Sequence, residues 1–132
     1  MNRRAFLFAS LAAPVAHRFA AAQGTPGVGI IFIGASWCAF CKSAAPVLAA
    51  MTQPAGIPVL VASHDARPIP PFSEVVDART HPVASQIVEL PTTLIYSQTA
   101  GAVTGQVSGY RNAAHYAQSV RAAVLATQGR ES

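Results

Sequence analysis

Cysteine is nearly absent from this chain: of 132 residues only Cys38 and Cys41 carry a thiol. Two cysteines cannot build a disulfide scaffold, so a fold of this size must be held by packing. A four-cysteine metal site is excluded as well, and His64, His81 and His115 are scattered without the paired spacing that would complete a tetrahedral zinc site. Charge is scarce, at 11% of residues, with five acids against nine Lys and Arg. Three of those cations, Arg3, Arg4 and Arg18, lie in the first 18 residues; the remainder carries six cations and five acids, a net charge of +1. So small a balance gives no footing for nucleic acid. The apolar run Ala5–Ala16 has twelve residues and is interrupted by Pro14, short of the roughly twenty that span a bilayer.

What the first residues do have is the layout of an export signal. Met1-Asn2-Arg3-Arg4 is a positive start, Ala5–Ala16 the apolar stretch, and Ala20-Ala21-Ala22 the small residues of a cleavage site before Gln23. Residues 1–22 therefore read as a signal peptide. Arg3-Arg4-Ala5-Phe6-Leu7 resembles the twin-arginine export signal, although Asn2 and Phe8 depart from its usual flanks, so both export routes stay open. The 110 residues from 23 to 132 suit one domain, placed most simply in a bacterial periplasm.

The two cysteines are spaced as Cys-x-x-Cys in Trp37-Cys38-Ala39-Phe40-Cys41-Lys42, between an apolar run, Val28 to Ile33, and a helix-like segment. At the first turn of a helix the first sulfur meets unpaired N–H groups and the positive dipole end, which favours its thiolate. The second lies one turn on, within reach of a disulfide or of a mixed disulfide. Half a zinc site, or a structural disulfide closing a loop too small to remove much chain entropy, are the alternatives.

Val28–Ile33 reads as a strand buried on both faces. The spacing of Ala44, Val47, Leu48 and Met51 predicts a helix over 37–51, kinked by Pro46. Residues 57–62 read as a second strand, parallel to the first because a helix joins them. The proline-rich segment 63–72 is irregular, and 82–89 is expected to be a short helix capped by Thr80 or His81. Strands at 92–96 and 102–108 form a hairpin, and a closing helix over 112–128 turns Tyr116, Val120 and Val124 inward and Arg121 outward.

This order of elements, with Cys-x-x-Cys at the first helix, resembles the thioredoxin fold over roughly residues 28–128. Ala35-Ser36-Trp37-Cys38 with Cys41-Lys42 resembles the thioredoxin active-site stretch, and Pro46 the helix-kinking proline. Leu90-Pro91-Thr92-Thr93 resembles the cis-proline motif, and Gly109 a glycine that lines the substrate groove. The expected fold class is α/β, a mixed four-stranded sheet with flanking helices, without the strand and helix that begin a full thioredoxin. Departures are also present. Ala39-Phe40 stands where cytoplasmic thioredoxins have Gly-Pro, so the redox poise does not carry over. Phe32 takes the place of a buried Asp beneath the second cysteine, and Ser63-His64-Asp65 that of its partner Lys, with His64 a candidate substitute.

The resemblance implies a periplasmic thiol–disulfide oxidoreductase that reduces disulfides of specific exported proteins through the Cys38–Cys41 pair, with no cofactor and no metal expected. Cys38 would be the nucleophile, more exposed and with a lowered pKa, and Cys41 the resolving thiol. Trp37, Leu90, Pro91 and Gly109 would form the docking groove. The expected partners are exported proteins with disulfides and a membrane thiol donor, the chain itself being a monomer. Small exported thioredoxins that mature cytochrome c or reactivate sulfur-oxidation carriers are of this kind. The oxidant or isomerase direction, and a binding module with idle cysteines, are the other readings.

Overall fold

A computed structural model describes residues 27–131; the expected signal peptide 1–22 and its cleavage point before Gln23 lie outside them. Strand β1 (Val28–Gly34) is the apolar run, and alternation along it divides the core. Val28, Ile30 and Phe32 face one layer, while Ile33 joins a second cluster with Ala62, Ala78, Ala84 and Leu94. Such two-sided burial is what a continuous β-branched run dictates for a central strand.

Helix α1 (Ala39–Ala55) follows, running four residues past the expected end. Ala44, Ala45, Leu48 and Thr52 form its buried stripe, with Val47 and Met51 packed at the margin. Pro46 and Pro54 lie inside the helix. Pro46 is exposed and offers no N–H to the carbonyl one turn back.

Strand β2 (Val59–Ser63) runs parallel to β1, pairing Ile30 with Val59 and Gly34 with Ser63. Strands β4 (Thr92–Ser97) and β5 (Ala102–Ser108) form the expected antiparallel hairpin, and β4 lies antiparallel to β1 on its other side. Two expectations are corrected. The sheet has five strands, in the order β3-β2-β1-β4-β5, because the two-residue strand β3 (Val76–Asp77) pairs parallel with β2. The expected helix over 82–89 shrinks to a 3-10 turn at Ala84–Gln86, preceded by another at Ala78–Thr80. Its N-cap position is Val83, not Thr80 or His81, although the His81 Nδ1 accepts the N–H groups of Val83 and Ala84 at 3.2 and 3.1 Å. The chain is already extended at Ile87, φ −97° and ψ 117°, which ends the turn.

The closing helix α2 (Ala113–Glu131) packs Tyr116, Val120 and Val124 onto the same sheet face as α1, with Arg121 exposed. The turns of 78–86 cover part of the opposite face.

Candidate active site

The C-terminal end of β1 carries the chain over a tight turn, where the N–H of Cys38 returns to the Ala35 carbonyl at 3.2 Å, and α1 then begins. Cys38 is the N-cap residue, in extended conformation (φ −82°, ψ 115°), and its Sγ accepts the backbone N–H of Cys41 at 3.3 Å. A sulfur in that position takes one of the amides that a helix start leaves without partners, and a thiolate takes it best.

Both cysteines are free thiols. Cys38 is 7% exposed and Cys41 not at all, so the first residue is the more exposed, by a small margin. The exposed part of the motif is aromatic: Trp37 is 68% and Phe40 60% open to solvent. Burial, reinforced by the hydrogen bond to Cys38, pushes the Cys41 thiol up to about 12. Cys41 is therefore a protonated, inert thiol at neutral pH until something draws it into reaction.

The residue that closes on Cys41 is Gly34. A Cβ there would stand 3.0 Å from the Cys41 Sγ and 3.1 Å from the Ile69 Cδ1. Phe32, two residues back on the same strand face, is fully buried in the cluster that includes both cysteines, and its ring lies 6.4 Å from that of Phe72. His64 is engaged elsewhere, its Nε2 lying 3.0 Å from the Ile87 carbonyl oxygen. Sequence reasoning passed over Gly34, although a glycine ending an apolar strand is a sign of close approach.

Pro91 and Gly109 are brought together: the N–H of Gly109 donates to the Pro91 carbonyl at 2.7 Å. The Leu90–Pro91 and Pro70–Pro71 peptide bonds are cis. Gly109 has φ +76°, the left-handed region that glycine enters without steric cost. Leu90 packs against the cluster containing Cys38 and Cys41. A carboxylate missed by sequence reasoning borders this edge, since a Cβ on Gly109 would lie 3.7 Å from Glu89 Oε1.

A second carboxylate reaches the loop itself. Asp65, in the turn after β2, accepts the Ser36 N–H at 3.1 Å and the Ser36 hydroxyl, and takes the Ser63 hydroxyl at 2.7 Å. These bonds, the Ser36 hydroxyl first, hold its carboxyl well below the usual carboxylate range.

Among the described residues no three His, Cys, Asp or Glu side chains gather as metal ligands. Apolar hollows of 340 and 480 Å³ lie beside Met51 and Val124 and beside Leu60 and Tyr96, with no cysteine in either lining. The arrangement is thus a buried dithiol under an exposed aromatic surface.

A sequence model of the family described as TraF, F plasmid transfer operon protein, matches residues 16–109. No match was found among curated proteins. Among solved structures, a Chlorobium tepidum protein described as thiol:disulfide interchange protein DsbE aligns with a TM-score of 0.58 at 21% identity, over 78% of this chain and 81% of its own. A thioredoxin of Malassezia sympodialis gives 0.50 at 20% identity, over 80% and 78%. A malarial protein gives 0.53 at 12% identity, over 76% and 97%. The fold is thioredoxin-like.

Proposed function

The chain belongs to the TraF (F plasmid transfer operon protein) family, and from that premise we propose that it is an exported thiol–disulfide oxidoreductase. One observation carries the reading: Cys38 caps the N-terminus of α1 with its sulfur on the Cys41 amide, while Cys41 is held buried and protonated one turn behind. The likeness to a protein described as a thiol:disulfide interchange protein supports the same chemistry.

The Cys38 thiolate attacks one sulfur of a substrate disulfide, forming a Cys38–substrate disulfide and releasing the other sulfur as a thiolate. Cys41 then attacks the Cys38 sulfur, closing the Cys38–Cys41 disulfide and releasing the second substrate thiol. Two electrons pass from the pair to the substrate, and a thiol donor at the membrane restores the dithiol. Cys41 must lose its proton for the second step. Of the causes that raise its pKa, those due to Cys38 vanish once Cys38 is in the mixed disulfide, while burial persists.

Trp37, Leu90, Pro91 and Gly109 form the docking surface for an extended protein segment. Residues 1–22 are the signal peptide, removed on export to the periplasm, and residues 23–132 work as a monomeric domain. Among the described residues no helix is long and apolar enough to cross a membrane.

Dithiothreitol-driven reduction of insulin tests the reading. The wild-type chain from residue 23 accelerates it and Cys38→Ser does not; equal rates with both would overturn the catalytic role. Intact mass of the exported protein checks cleavage before Gln23.

A further inference from the structure

Asp65 lies outside the thiol chemistry just described, yet it is tied to the residue at the corner of the active-site turn, 29 positions away in sequence. The β1–β2 ladder ends at Gly34 and Ser63, with a last rung from the His64 N–H to the Gly34 carbonyl at 2.8 Å. Past that rung the two chains diverge. The Ala35–Cys38 turn, closed by its own 3.2 Å bond, has Ser36 and Trp37 at its two corner positions. Asp65 grips the first corner twice, by the backbone N–H and by the hydroxyl, while the fully buried Ser63 anchors its Oδ1 from below.

The turn that presents Asp65 is itself costly. Ala66 has φ +57°, the one non-glycine residue with positive φ among those described, a conformation that L-residues adopt only when the surroundings impose it.

We propose that Asp65 is a positioning residue for Cys38: through Ser36 it fixes the plane of the turn that delivers Cys38 and Trp37, and so keeps the Cys38 sulfur on the Cys41 amide. This deepens the oxidoreductase reading and rests on it. A turn pinned at its first corner leaves the chain one direction in which to enter α1. A turn released there lets Cys38 swing off the helix start, and the thiolate loses the N–H that favours it.

Position and charge make opposite predictions. As an anion, Asp65 would repel a thiolate, so its removal would raise the thiolate fraction. As a positioning group, its removal lowers that fraction. The other ionisable groups on the segments meeting here are Cys41 and Lys42 of α1, His64, Arg67, Asp77 of β3, Arg79 just after it and, ahead of Pro91, Glu89; each stays unchanged in the variants.

Trp37, the only tryptophan of the chain, reports on the turn directly. The test compares wild type, Asp65→Ala, Asp65→Asn and Ser36→Ala in the reduced protein. Acrylamide quenching and anisotropy of Trp37 read the mobility of the turn, and absorbance at 240 nm reads the Cys38 thiolate at pH 7. Asp65→Ala should make Trp37 more mobile and cut the thiolate fraction roughly two- to fivefold, the scale of one helix-terminus interaction. Ser36→Ala should shift both in the same direction by less, and Asp65→Asn, which keeps an acceptor oxygen, should recover most of the loss. A lower unfolding midpoint with Trp37 mobility and thiolate fraction unchanged would overturn the proposal, as would a raised thiolate fraction in both Asp65 variants. If Asp65→Ala does not fold, Ser36→Ala decides, since wild-type readings from it contradict the latch. None of these readings needs a substrate. Failure of the insulin assay with the shifts present would sink the oxidoreductase reading and leave the positioning role standing.

Discussion

Gly34 lies close against Cys41, and a side chain added there would press on the Cys41 sulfur. Gly34→Ala would place a methyl 3.0 Å from the Cys41 sulfur and 3.1 Å from Ile69. Overpacking of this kind costs about 1–3 kcal/mol, and urea unfolding of the reduced protein should show a loss of that order. The resolving step should change with it, because Cys41 is the group displaced. Wild-type stability in Gly34→Ala would mean that β1 and α1 separate more readily here than their packing implies. The motif itself was legible in the sequence, since two cysteines spaced for one helical turn admit few readings. Gly34, Asp65 and Glu89 were not. Each acts across a long sequence separation, and no local pattern tells which glycine or acid the fold will bring to the sulfur. Phe32 shares a buried cluster with Cys41, and Gly34, two positions on, is where an added Cβ would meet the Cys41 sulfur.

At the scale of elements, α2 is fastened to the sheet by hydroxyl pairs as well as by apolar packing. Tyr116 and Thr93 meet at 2.6 Å, and Thr104 and Thr127 at 2.8 Å. Tyr116→Phe would leave the Thr93 hydroxyl, fully buried, without that partner, at a cost of about 1–2 kcal/mol. The expected result is a lower urea midpoint with unchanged alkylation of Cys38; an unshifted midpoint would mean that Thr93 finds another hydrogen-bond partner at no cost. The regular elements were legible because their patterns are long: the apolar run of β1, the α1 stripe and the inward Tyr116, Val120 and Val124. Segment 73–90 was not. Strand β3 has only two residues, too few for any period to show. The expected helix after Pro82 yields to a turn that ends where Ile87 becomes extended.

For the molecule as a whole, stability should follow a dome in pH whose limbs have separate causes. Cys41 and Tyr116 are both raised by burial, from 9.0 and 10.0, to about 12. Between the lower and the upper values the folded chain keeps protons that the unfolded chain has released, so stability falls as pH rises from about 9 toward 12. Asp65 acts in the opposite sense. Its carboxyl is held low, so below about pH 4 the unfolded chain takes up a proton first and stability falls as pH falls. Urea midpoints of the reduced protein across pH 3–11 should show a plateau between these limbs, and Cys41→Ser should flatten the alkaline one. An alkaline limb unchanged in that variant would argue that Cys41 titrates normally. The central claim, that Cys38 attacks and Cys41 resolves, is tested most directly by trapping. Cys41→Ser, incubated with a disulfide-bearing protein and run without reductant, should accumulate a covalent adduct whose link maps to Cys38, while Cys38→Ser accumulates none. Adducts formed by Cys38→Ser through Cys41, and absent from Cys41→Ser, would reverse the assignment and contradict the account.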